Sequence, residues 1–269
     1  MKWNPFVTHN PYWVQNKKVT VGSRPPHSPP WQGGAREGCS FFVLHPSYLV
    51  MPALLLWGGV LSISADNGDW QQWTEASWTQ NLGSGFDAGL RWEGRWEDDI
   101  SKFAYYELEP MLTWRYSPRW DFALGYERDE RIKPVEETAH VPSIAATLRI
   151  PRQPWKLIPT LDWRLSNRFR MEFMVPEDEM ADWQPVYRNR TDWEARWRWG
   201  SRELIPFVFE EWFFDMDGGD FVQNRFGVGI GVPIVPHWVA RVYWMRLDEK
   251  VGNRWEWHPV FGFQIQAQF

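Results

Sequence analysis

Only one of the 269 residues is a cysteine, Cys39, so no disulfide holds the chain together and no zinc or redox cysteine set is present. The residues before it, Arg36-Glu37-Gly38, are not apolar, which argues against a lipoprotein cleavage site. Long hydrophobic runs are equally scarce. Mean hydropathy is -0.52, and the longest apolar stretch, 41–65, carries Pro46 and Pro52 inside it, which a membrane-crossing helix tolerates poorly. Helical periodicity is hard to find from Trp70 onward. Histidine is sparse too: beyond residue 65 the chain has His140, His237 and His258. No Gly-x-Ser-x-Gly elbow accompanies them, and no His-x-Ser pair lies along one strand face, so a hydrolase lacks its visible parts.

What is abundant is tryptophan. The chain has 22, and aromatic residues make up 17%, more than a soluble domain readily accommodates. Trp and Tyr favour a membrane interface, where an apolar ring and a polar N–H or O–H are both satisfied. A polar mean hydropathy is compatible with that, because half of each strand in a transmembrane barrel faces a polar interior.

Three regions follow from composition. Residues 1–40 are rich in Pro, Gly, Asn and Ser, with PPHSPP at 25–30, and read as a disordered extension or an over-long gene start. Residues 41–65 have the layout of a signal peptide: an apolar centre, a small-residue exit at Ile63-Ser64-Ala65 and a polar sequel from Asp66. Met51 is an alternative start, although a signal beginning there lacks a positive charge. A short membrane anchor is the rival reading of 41–65. Residues 66–269 are then the mature barrel. Loss of residues 1–65 removes five basic and one acidic residue, taking the formal charge from -5 to -9, which argues against a nucleic-acid partner on electrostatic grounds.

The mature region alternates with period two. The last strand, RWEWHPVFGFQIQAQF at 254–269, puts Trp255, Trp257, Pro259, Phe261, Phe263, Ile265, Ala267 and Phe269 on one face and Arg254, Glu256, His258, Gln264, Gln266 and Gln268 on the other. A terminal Phe on such a strand is how outer-membrane barrels of Gram-negative bacteria usually finish. In 155–173, Trp155, Leu157, Leu161, Trp163, Leu165, Phe169, Met171 and Phe173 oppose Asp162, Arg164, Arg168, Arg170 and Glu172. In 187–199, Tyr187, Trp193, Ala195, Trp197 and Trp199 oppose Arg188, Arg190, Asp192, Glu194, Arg196 and Arg198. Further segments are 70–80, 84–96, 103–116, 119–128, 138–150, 203–214, 221–232 and 236–247, with 138–150 and 203–214 poorly patterned.

Connections also alternate. Short ones carry turn residues (81–85, 117–118, 151–154, 200–201, 233–236), and longer ones are charged (97–99, 129–137, 176–182, 215–220, 248–252). The expectation is an all-β, antiparallel transmembrane β-barrel of about 10–12 strands, with short periplasmic turns and longer extracellular loops. Closure is required because an open sheet edge in lipid leaves backbone groups unpaired. Eleven segments are countable, but bacterial single-chain barrels have even numbers, so ten or twelve strands are expected. A soluble sandwich or lipocalin-like barrel would show the same alternation. The Trp-crowded apolar face and the charge density opposite it favour the membrane barrel.

Five segments carry a resemblance: YELEPMLTWRYSPRWDFALGYERDE (106–130), RLSNRFRMEF (164–173), YRNRTDWEARWRW (187–199), FEEWFFDM (209–216) and QNRFGVGIGVPI (223–234). They resemble the DUF2490 family of uncharacterised bacterial outer-membrane proteins, the QNR-plus-Gly strand being the most specific piece. In the Gly-Tyr-Arg-like strand the Arg is displaced by Glu127-Arg128. The resemblance implies a signal-bearing β-barrel and brings no activity.

The polar faces bring charges of both signs into a narrow lumen. Arg164, Arg168, Arg170, Glu172, Arg188, Arg190, Asp192, Glu194, Arg196, Arg198, Glu256 and His258 are the candidate lumen network, with Arg91, Glu93, Arg95, Glu107, Glu109 and Arg115 as a second ladder. Trp155, Trp163, Trp193, Trp197, Trp199, Trp255, Trp257, Phe261, Phe263 and Phe269 are the candidate membrane-facing aromatics. A lumen plugged by ion pairs outweighs a narrow pore for small ions or solutes, and both outweigh a membrane-embedded lipid hydrolase. The acidic loop DMDGGD (215–220) lacks EF-hand spacing and its ligating Glu, so no metal, cofactor or catalytic residue is assigned. The expected partners are outer-membrane lipid and, through the C-terminal strand, the barrel assembly machinery.

Overall fold

The computed structural model describes residues 69–132, 137–155, 158–177 and 183–269, with the side chains of 151–160 and 199 left aside. The readings of residues 1–40 and 41–65 lie outside the described residues.

Eleven strands follow one another: β1 (Gln71–Gly83), β2 (Phe86–Glu97), β3 (Lys102–Arg115), β4 (Trp120–Arg131), β5 (Glu137–Trp155), β6 (Ile158–Pro176), β7 (Gln184–Trp199), β8 (Arg202–Asp215), β9 (Asp220–Val235), β10 (Trp238–Val251) and β11 (Arg254–Gln268). Each pairs antiparallel with its neighbours in sequence, and the sheet closes on itself where β1 meets β11. The closing pair is parallel, running from Gln71 opposite Val260 to Thr79 opposite Gln268. The expectation of an even strand number is therefore overturned. An odd count forces one parallel pair, and here it puts the start of β1 at the opposite end of the barrel from the C-terminus. Phe269 extends the seam: its N–H donates to Thr79 O and its carbonyl accepts from Asn81 N, both at 2.9 Å.

Every alternating segment of the sequence is a strand, including 138–150 and 203–214. The departures are at strand ends. Pro151–Pro154 is not a turn: β5 runs through it to Trp155, and its register with β6 shifts between Ile150 and Gln153 and again between Pro154 and Trp155. Prolines lack the ladder N–H, so they break the pairing locally without ending the strand. Likewise Pro233 lies within β9, and the tight turn is Pro236-His237, with His237 at φ 72°. Several stretches expected as charged loops are strand extensions, Asp129 to Arg131 in β4 and Asp248 to Val251 in β10. Lateral ion pairs let charge sit on strand there, as with Arg246–Asp248 at 2.8 Å.

The two faces have opposite character. Outward, Leu90, Leu112, Trp114, Phe122, Leu124, Ile144, Val228, Val242 and Trp244 are exposed. Inward, Glu93, Glu107, Glu109, Arg170, Glu172, Arg188 and Glu211 are buried. Part of the interior is also apolar: Trp73, Phe207, Phe209, Met245, Leu247 and Val260 form one cluster, with Tyr243 packed against it. These rings lie against bare backbone. A Cβ at Gly262 would fall within the Tyr243 ring, and one at Gly227 within the Phe209 ring. Aromatic rings covering glycines in this way pin strand register. Two smaller apolar clusters, Ala139–Val141–Met174 and Val186–Phe213–Val222, sit near the end of the barrel opposite the tight turns.

Candidate functional site

The inward charges join into one layer across the barrel. It starts at Arg91 on β2, whose guanidinium meets Glu109 at 2.8 Å, Glu127 at 3.1 Å, Glu93 at 3.2 Å, Glu75 at 3.9 Å and also Glu107. Glu109 and Glu127 pass the chain to Arg170 on β6, at 2.7 and 3.2 Å. Arg170 also meets Glu172 at 2.9 Å, and Glu172 meets Arg188 on β7 at 2.5 Å. Arg188 then reaches Glu211 on β8 at 3.0 Å. The chain steps over β5, whose inward positions there are short, such as Ser143 and Ala145. Trp73 on β1 completes the circuit, lying 4.0 Å from the Arg95 guanidinium and 4.7 Å from that of Arg225. Arg95 itself pairs with Glu93 at 2.6 Å.

Glu211 is the pivot of the basic side. It is fully buried, and Arg188, Arg168, Arg225 and Arg190 lie at 3.0, 3.4, 3.6 and 3.8 Å. A carboxylate cannot stay ionised in such a place without cations to replace its lost hydration. The acidic side is the converse: Glu107, Glu127 and Asp129 bring carboxylate oxygens within 4.8 Å of one another. Those oxygens have the chemistry of a hard-cation site, but Arg91 already pairs with both glutamates and supplies the countercharge.

The sequence-derived candidates distribute over three places. Arg168, Arg170, Glu172, Arg188, Arg190 and Asp192 belong to the layer, Asp192 through Arg190 at 2.9 Å. Arg164 and Glu194 form a separate triad with Arg241, both arginines at 2.8 Å from Glu194. Arg196 pairs with Glu203 at 3.3 Å and Arg198 with Asp162 at 2.7 Å, nearer the tight turns. Glu256 is exposed at the opposite end of the barrel, and His258 is buried on the inward side of β11. Of the aromatics, Trp197, Trp255, Trp257 and Phe261 are exposed, while Trp163, Trp193, Phe263 and Phe269 are half-buried. Phe269 stacks on His237 at 5.4 Å between centroids. The side chains of Trp155 and Trp199 lie outside the described residues.

Glu75, Glu127, Glu211, Arg225 and Trp73 were not among the candidates. A signal for Glu211 exists: at every second position from Ile205 to Phe213 it is the one carboxylate among apolar residues. A signal for Trp73 does not, because an inward Trp and an outward one look alike without strand parity.

Towards the tight turns the layer opens into a cavity of about 670 Å³. Its floor includes Glu211, Arg188 and Arg225, one wall carries Phe207, Phe209 and Tyr243, and Thr79, Pro118, Arg149 and Gln268 are at the strand ends nearest the turns. The histidines have other company. His140 Nδ1 lies 2.5 Å from the Tyr126 hydroxyl on the outward face, and His237 meets a phenyl ring.

A family model described as a protein of unknown function, DUF2490, matches residues 70–258. No curated protein matches the chain.

Proposed function

The chain belongs to the DUF2490 family, whose description assigns no activity, and from that premise we propose that it is a barrel of the outer membrane of a diderm bacterium whose lumen is closed to solutes. The observation that carries the reading is the inverted distribution of polarity: apolar and aromatic side chains exposed on the outside of a closed sheet, ion pairs buried inside. A protein folded in water would hide the first set and hydrate the second. In lipid the outward face is at home, and closure satisfies the backbone hydrogen bonds. Among the described residues no helix is long and apolar enough to cross a membrane.

Closure of the lumen rests on the charged layer together with the apolar clusters above it. Glu109 is 1% exposed, Glu211 0%, Met245 1% and Val260 0%, so side chains from four different strands are packed together inside the barrel. The role is accordingly structural rather than enzymatic. Residues 41–65 act as the leader, and the strand ending in Phe269 is the segment offered to the barrel assembly machinery.

The test has two parts. Folded protein in detergent migrates faster than boiled protein and fractionates with outer membranes; loss of both behaviours sinks the membrane reading. In planar bilayers the purified protein gives no unitary conductance. Steady, charge-selective steps would instead establish a narrow pore.

A further inference from the structure

The charged layer is not balanced where it meets the cavity. Nine arginines and six carboxylates line that space, a local surplus of positive charge inside a chain whose formal charge is -5. The surplus gathers at Glu211. Its Oε1 takes Arg188 at 3.0 Å and Arg168 at 3.4 Å, whereas its Oε2 faces Arg225 at 3.6 Å and Arg190 at 3.8 Å, beyond hydrogen-bond reach. Arg190 has a second partner in Asp192 at 2.9 Å. Arg225 has none so close: it is 9% exposed, its Nε lacks a hydrogen-bond partner, and it is held on the rings of Trp73 at 4.7 Å and Phe213 at 4.5 Å. Rings fix a guanidinium in place without occupying its in-plane donors.

Beside this cation the wall turns apolar. Phe207 and Phe209 stack on each other, and Tyr243 packs edge to face against both, its centroid 5.7 Å from that of Phe209. At about 670 Å³ the cavity has the size of a small-molecule site, and it sets this one apolar wall against a charged remainder.

We propose that this cavity binds a small organic anion, one acid group on an apolar body, with the acid group bonded to the Arg225 guanidinium beside Arg190 and the body lying on Phe207, Phe209 and Tyr243. The inference rests on the closed-lumen reading for one point only, that the cavity is blind at its far side. An oxyanion there completes the donors that Glu211 leaves unused, and the layer behind it bars passage to the far side. Carboxylate, sulfonate and phosphate heads share the required chemistry. A bare inorganic anion lacks the apolar contacts, and a cation meets the arginine surplus.

The experiment is a calorimetric titration of the folded protein in non-ionic detergent with 2-naphthalenesulfonate, 2-naphthylmethanol and inorganic phosphate. The expected result is one naphthalenesulfonate per chain, bound at least tenfold more tightly than either comparison compound. Arg225→Gln weakens it at least tenfold, Phe209→Leu weakens it several-fold, and Arg198→Gln leaves it unchanged. Equal binding of the alcohol, or affinity unchanged in Arg225→Gln, overturns the proposal, and tight phosphate binding overturns the part assigned to the apolar wall. If Arg225→Gln fails to show heat-modifiable migration, Arg190→Gln takes its place with the same expected loss. Failure here and failure of the closed-lumen reading are separable: a conducting barrel that binds the sulfonate refutes only the closure, and a silent barrel that ignores it refutes only the site.

Discussion

Glu210 and Glu211 are neighbours in the chain and face opposite surroundings. Glu211 points inward, is fully buried and sits among four guanidiniums; Glu210 points outward and is exposed between Val208 and Trp212 on the apolar face. Loss of the carboxylate should therefore have opposite signs at the two positions. Glu211→Gln leaves four arginines around a neutral amide, and breaking a buried pair in this way costs about 3–5 kcal/mol. Glu210→Leu removes a carboxylate from the face proposed to meet lipid and should stabilise by about 1 kcal/mol, since acidic residues there are less costly than basic ones. Urea unfolding in lipid vesicles measures both. Equal effects at the two positions would mean that the inside and outside of the barrel have been assigned wrongly. Nearby, Asn167 donates to Thr191 Oγ1 at 2.7 Å and exchanges hydrogen bonds with Asn189, so these outward polar groups satisfy one another.

At the scale of elements, alternation was legible wherever a strand separates an apolar side from a charged one, as in β6, β7 and β11. It failed in β8 because both faces are apolar there: Ile205, Phe207, Phe209 and Phe213 point in while Leu204, Val208, Trp212 and Phe214 point out. What makes an inward aromatic possible lies on other strands, in Gly227 and Gly262, and no pattern within β8 reports it. The charged layer was legible as ladders on single strands but not as a connected chain, since Arg170 finds Glu127 two strands away over the short side chains of β5. Two predictions belong here. Gly262→Ala forces the Tyr243 ring off the backbone and should cost about 1–3 kcal/mol; combined with Tyr243→Ala the loss should fall well short of the sum of the single changes, because the two residues are in contact. The seam between β1 and β11 is the one parallel pair in the sheet, and parallel pairing is slightly less stable per residue. Its amides should exchange with deuterium before those of β10 with β11, and slower exchange at the seam would contradict that order.

For the whole molecule, the ion pairs divide by depth, and salt should separate them. Pairs at the ends, such as Arg198–Asp162 with side chains 57% and 23% exposed, are open to counterions; Arg170–Glu109, at 3% and 2%, is not. Screening falls to a length of about 3 Å near 1 M salt, but it acts through solvent, which the layer excludes. Raising salt from physiological to about 1 M should leave the unfolding midpoint in detergent nearly unchanged, because exposed pairs contribute about 0–1 kcal/mol each and the buried ones are sheltered. The same shelter predicts that high salt opens no current across the bilayer. A pore lined by charge rings behaves otherwise, with conductance and selectivity that both shift with ionic strength. A large fall in stability at high salt, accompanied by the appearance of current, would show the layer to be hydrated and the lumen to be a channel wall. Constant stability and continued silence are what a barrel sealed by its own ion pairs requires, because the side chains that fill the lumen are then the same ones that hold the strands together.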